Sequence, residues 1–122
     1  MRDISTHIIH CSDSEVGDVR TIREWHLARG FADIGYHFVI RRDGVIEMGR
    51  QMYVVGAHCE NHNHNSIGTC LVGKREFTPA QFASLQALHQ QLTMLFPGIV
   101  ARPHNAYNPN KTCPNFNVDE VL

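Results

Sequence analysis

One segment of this chain admits a single reading, and it dictates much of what can surround it. Thr78-Pro79-Ala80-Gln81 puts a hydroxyl at an N-cap, proline at the first helical position and glutamine three residues past the cap, a capping box. Phe82, Leu85, Leu88, Leu92 and Leu95 follow at helical spacing and Pro97-Gly98 ends the run, which predicts a helix over Pro79–Phe96. An apolar stripe of that length has to be buried against another layer. The remaining apolar runs are short and rich in β-branched residues: Ile4–Cys11, Tyr36–Arg41, Val45–Met48, Thr69–Val72 and Ile99–Ala101. Arg42-Asp43-Gly44 joins two of them as a hairpin. A second helix is predicted over Val19–Arg29, with Asp18 as N-cap, Val19, Ile22 and Trp25 as its apolar positions and Gly30 as its stop. The order β-α-β-β-β-α-β predicts an α/β fold, a mixed central β-sheet flanked by α-helices, with a polar loop from Arg102 to Asn117.

With 122 residues and no internal repeat, low-complexity run or linker, the chain reads as one domain spanning 1–122 and is expected to be monomeric. A formal charge of −1 argues against a partner bound through phosphate neutralisation, so nucleic acid is excluded; the adjacent Arg41 and Arg42 read as solvated. No stretch approaches the ~18 apolar residues of a membrane span, and Met1–His7 leads into no signal-peptide core. A soluble protein made in the cytoplasm is expected. Cys11, Cys59, Cys70 and Cys113 are therefore expected as free thiols.

Histidine stands out with nine copies, while lysine is confined to Lys74 and Lys111. A hydrolytic zinc site takes three protein ligands from strand ends and loops and leaves a fourth position for water. His10 ends the first predicted strand; His104 and Cys113 lie in the loop after the last one, among Pro103, Pro109 and Pro114. No helical H-x-x-x-H or C-x-x-C pair is present, so spacing alone does not make this a metal site. A core histidine, a surface histidine and a buried thiol would read the same way.

The sequence context favours the metal site through a resemblance. Ile8-Ile9-His10-Cys11-Ser12 resembles the first metal motif of the type 2 N-acetylmuramoyl-L-alanine amidases, the family that includes the peptidoglycan-recognition proteins. Arg23-Glu24-Trp25-His26 and Asp33-Ile34-Gly35-Tyr36-His37-Phe38 resemble its helix and second strand, Asn63-His64-Asn65-Ser66-Ile67-Gly68 its groove segment, and Lys111-Thr112-Cys113-Pro114 its closing metal motif. The motifs stand in the family's order from Ile8 to Phe116, nearest to the single-domain lysozymes of T7-like bacteriophages. The nine positions from His104 to Cys113 are one more than those lysozymes have, so this loop must bulge, and Asn105 stands where relatives often carry another residue type.

The resemblance implies one Zn²⁺ held by His10, His104 and Cys113, with Tyr36 placing the attacking water and Lys111 stabilising the oxyanion as the amide between N-acetylmuramic acid and L-alanine is cut. It implies bacterial peptidoglycan as partner, and a phage or prophage endolysin that waits in the host cytoplasm until lysis and then acts on the cell wall. His58, His64, Asn65 and Ser66 are assigned to the substrate groove, with His62 beside them. Trp25, Phe31, Phe38 and Cys11 are assigned to the core, with Cys11 facing away from the metal. His37, next to Tyr36 on a strand, should point to the opposite face. Two other functions stay open: a non-catalytic peptidoglycan-recognition or phage RNA polymerase-binding protein of the same fold, and a cysteine hydrolase with Cys113 as nucleophile and His104 as base.

Overall fold

Strand β1 (Thr6–Cys11) organises the molecule. In this computed structural model, which describes residues 2–122, β1 pairs in parallel with β4 (Ser66–Leu71) on one side and β5 (Val100–Pro103) on the other. β4 pairs in parallel with β2 (Phe38–Ile40), and β2 turns back at Gly44 into antiparallel β3 (Ile46–Met48), giving the order β3-β2-β4-β1-β5. Parallel neighbours need crossovers. Helix α1 (Val19–Ala28) follows β1, and helix α2 (Pro79–Leu95) lies between β4 and β5. A short helix α3 (Val118–Val121) closes the described chain, beyond the elements expected from the sequence.

Both faces of the sheet are covered, as parallel sheets require. Ile9, Ile67, Leu71, Phe38 and Ile40 pack on Leu85, Leu88 and Leu92 of α2, while Val39 and Cys70 point the other way toward Ile22 of α1. Alternation along each strand thus splits the core into two clusters. The capping box forms as predicted, with Thr78 accepting from the Gln81 N–H at 3.1 Å and the Gln81 side chain accepting from the Thr78 N–H at 3.0 Å. Leu95 departs from the predicted stripe and is exposed, because Phe96, four residues after Leu92, turns inward in its place. α1 departs likewise. His26 takes the third inward position, accepting from the Gly35 N–H at 2.8 Å, and Trp25 is left 42% exposed. Strand β4 starts three residues earlier than predicted, at Ser66. Among the described residues no helix is long and apolar enough to cross a membrane.

Candidate metal centre

The parallel strands deliver the site at their carboxyl ends. His10 is the penultimate residue of β1, and His104 follows directly on β5, the neighbouring strand. Their rings lie 4.4 Å apart between centroids. Cys113 returns to them at the end of the loop. The Cys11 N–H donates to its Sγ at 2.8 Å, the Asn105 N–H donates to its carbonyl at 3.1 Å, and the Asn105 side-chain amide donates to the Thr112 carbonyl at 3.2 Å. Asn105 therefore straps the two ends of the loop together. Further out in the loop the Lys111 N–H donates to the Asn108 carbonyl at 3.0 Å. One donor atom each from His10, His104 and Cys113 falls within 4.8 Å of the others. Two imidazoles and a thiol, with a side open to a groove, are a donor set that fits zinc and leaves a position free.

Tyr36 and Lys111 flank this cluster. The Tyr36 ring lies 5.1 Å from that of His10, and its hydroxyl meets the Cys70 thiol. His37 points the other way, accepting at Nδ1 from the Gly68 N–H at 3.0 Å and meeting the Val54 carbonyl at Nε2. Lys111 is exposed, lines the groove and acts on His104 through its charge. His58 is not a simple groove residue. Its Nδ1 lies 2.8 Å from His10 Nε2, and its Nε2 lies 3.2 Å from the Ser66 hydroxyl.

The groove over the cluster has a volume of about 960 Å³. Trp25 and Phe31, expected in the core, both line it beside Tyr36, Trp25 from the side of α1 next to its buried face and Phe31 from just after the turn that ends the helix; Phe38 alone of the three is in the core. Three residues assigned to the groove do not line it. Ser66 is fully buried behind His58, while His64 and Asn65 lie in the 3-10 turn before β4 and outside the groove lining. Cys11 is buried as expected, yet its sulfur meets Cys113 instead of turning away, since the strand ends here and the loop folds back over it. All four cysteines are free.

The sequence model of the N-acetylmuramoyl-L-alanine amidase family matches residues 1–116. The chain belongs to that family. It is 44% identical over 121 residues to the endolysin of Escherichia phage T7, covering 90% of this chain and 80% of the phage protein. Among solved structures, the N-acetylmuramoyl-L-alanine amidase LysC from Clostridium intestinale URNW matches with a TM-score of 0.92 at 30% identity, over 98% of this chain and 83% of LysC. Drosophila PGRP-LB matches with a TM-score of 0.85 at 28% identity, over 93% of this chain and 76% of that one.

Burial sets the electrostatics of this family member's site. His10 and His58 are held well below the usual imidazole range, first by desolvation and then by neighbouring imidazoles; His104 is lowered by desolvation and by Lys111. All three are therefore neutral with a lone pair available at neutral pH. Tyr36 is pushed well above the usual phenol range by burial and by the nearby sulfurs, so it keeps its proton. Cys11 and Cys113 titrate as a pair. Their mutual hydrogen bond favours the loss of one proton and opposes the loss of the second. The Cys11 N–H aimed at Cys113 Sγ makes Cys113 the better seat for that charge.

Proposed function

We propose that this chain is a zinc-dependent N-acetylmuramoyl-L-alanine amidase of the phage endolysin kind, cutting the bond between the lactyl group of N-acetylmuramic acid and L-alanine in bacterial peptidoglycan. The observation that carries this is the convergence of His10, His104 and Cys113 on one point beneath an open groove, with Tyr36 and Lys111 beside it. When bound, zinc supplies Lewis acidity that makes a water nucleophilic at neutral pH and polarises the amide carbonyl. The protein's own groups do the rest. Tyr36 keeps its hydroxyl proton, so it orients the attacking water as a hydrogen-bonding partner; a phenol held well above its usual range is no general base. Lys111 brings a positive charge to the groove, where it stabilises the charge developing on the carbonyl oxygen. Trp25 and Phe31 give that groove an apolar wall for the sugar and lactyl groups. The likeness to phage endolysins supports action on the host wall after the inner membrane is breached.

The test measures zinc content and amidase activity on one purified sample, before and after chelation, with isolated peptidoglycan and an assay for newly freed L-alanine amino groups. About one zinc per chain, with activity lost on chelation and restored by zinc, is expected. Metal-free protein that still frees those groups would instead make Cys113 a nucleophile. Bound zinc without cleavage would leave a recognition protein.

A further inference from the structure

We propose that His58 is a positioning residue that orients the His10 ring, fixing its proton on Nε2 so that Nδ1 presents a lone pair toward His104 and Cys113. The proposal rests on the zinc reading above and extends it to a residue outside the donor set.

The argument follows the hydrogens. The Ser66 hydroxyl donates to the His62 carbonyl at 2.7 Å. A hydroxyl has one proton, so toward His58 Nε2, at 3.2 Å, Ser66 can only accept. His58 therefore carries its proton on Nε2 and leaves Nδ1 bare. His10 Nε2, 2.8 Å from that bare nitrogen, must be the donor, and its ring keeps an unprotonated Nδ1 for the cluster. One backbone carbonyl thus dictates, through two side chains, which nitrogen of His10 can bind a metal. Both nitrogens of His58 are used inward, so neither is left for a substrate.

The space around His58 points to the same role. A Cβ on Gly68 would lie 2.5 Å from the His58 ring, and one on Gly56 would lie 2.8 Å from it. Two glycines with no Cβ thus form a slot that the imidazole fills edge-on to His10, with the rings 88° apart. Ser66 and Gly68 belong to β4, the strand paired with β1, with Gly68 opposite Ile8 and Cys70 opposite His10. The register of that parallel pair therefore sets the support and the supported ring together. Residues that orient a metal-binding histidine in this way typically contribute 10- to 100-fold to metal affinity.

The test uses the full chain and zinc alone. Zinc affinity is measured by competition with a chelating dye for wild type, His58→Ala and His58→Gln, and the His10 tautomer is read in metal-free wild type by ¹⁵N NMR. Affinity is expected to fall about 10- to 100-fold in His58→Ala and by much less in His58→Gln, whose amide can accept from His10 and donate to Ser66. The NMR is expected to show the His10 proton on Nε2. Equal affinity in wild type and His58→Ala, or a His10 proton on Nδ1, would overturn the proposal. If His58→Ala does not fold, the glutamine variant and the wild-type tautomer still decide it. Wild type that takes up no zinc would sink the zinc reading, while the tautomer would still judge the His58 chain.

Discussion

At the scale of single residues, Cys113 is the most informative position. Its sulfur receives the Cys11 N–H, and a thiolate there would leave a zinc site with one net positive charge. Serine keeps the size and the hydrogen bond but does not ionise near neutral pH. Cys113→Ser should therefore lose most of its zinc on gel filtration while its circular dichroism stays native; full zinc content would remove Cys113 from the ligand set. Tyr36→Phe and Lys111→Ala should keep their zinc and lose about 100- to 1000-fold in kcat, as expected for groups that act on the reacting atoms rather than on the metal. Residue identity left the three candidate donors open to a bland reading, and only the motifs around them, through the family resemblance, singled them out. His58 was visible only as a loop histidine. Its partner His10 lies 48 positions away, and no local pattern says that a loop will fold back on a strand end. Asn105 showed in the sequence only as an unusual residue, and its strap across the loop needed the fold to become apparent.

At the scale of elements, legibility depended on whether the deciding interaction was local. The capping box of α2 involves residues three apart and formed as read. Thr78 also donates to the Arg42 carbonyl at 2.7 Å, tying the helix start to the β2–β3 turn. Thr78→Ala should cost about 1–2 kcal/mol in urea unfolding, the loss of a cap and of one tertiary hydrogen bond. Periodicity was a weaker guide to which side of a helix would be covered. Leu92→Ala should cost about 2–5 kcal/mol, because Leu92 is 1% exposed, whereas Leu95→Ala should stay within about 0.5 kcal/mol at 58% exposure. The same denaturation series checks both, and equal losses would mean that α2 packs on a different face. Trp25 carries the same lesson to function: helical spacing placed it in the stripe, but His26 holds the inward position and the indole faces the groove.

At the scale of the whole molecule, the sheet is held together partly by histidines that must stay neutral. His7, in the interior strand β1, is fully buried between Thr69 of β4 and His89 of α2, with its nitrogens 2.7 Å from the Thr69 hydroxyl and 3.0 Å from His89 Nδ1. The two Nδ1 atoms face each other and can share only one proton, so a second would set two N–H groups against each other with no water to separate them. Burial first, then His89 and His37, pushes the His7 pKa down to about 3, and burial lowers that of His89. Both folded pKa values lie below the unfolded value near 6.5, so the unfolded chain binds protons first as the pH falls. The stability these residues provide is complete above about pH 6.5 and is lost below it, at about 1.4 kcal/mol per pH unit for each proton. Unfolding free energy of the metal-free chain should therefore be level from pH 8 to 7 and fall steeply from pH 6 to 4. In His7→Gln the wild-type slope over that acid range should decrease by about one proton, even though the variant is less stable at pH 7, where the Thr69 and His89 contacts are weakened. An unchanged slope would mean that His7 takes up its proton as readily in the folded chain as in the unfolded one, which its full burial between Thr69 and His89 opposes.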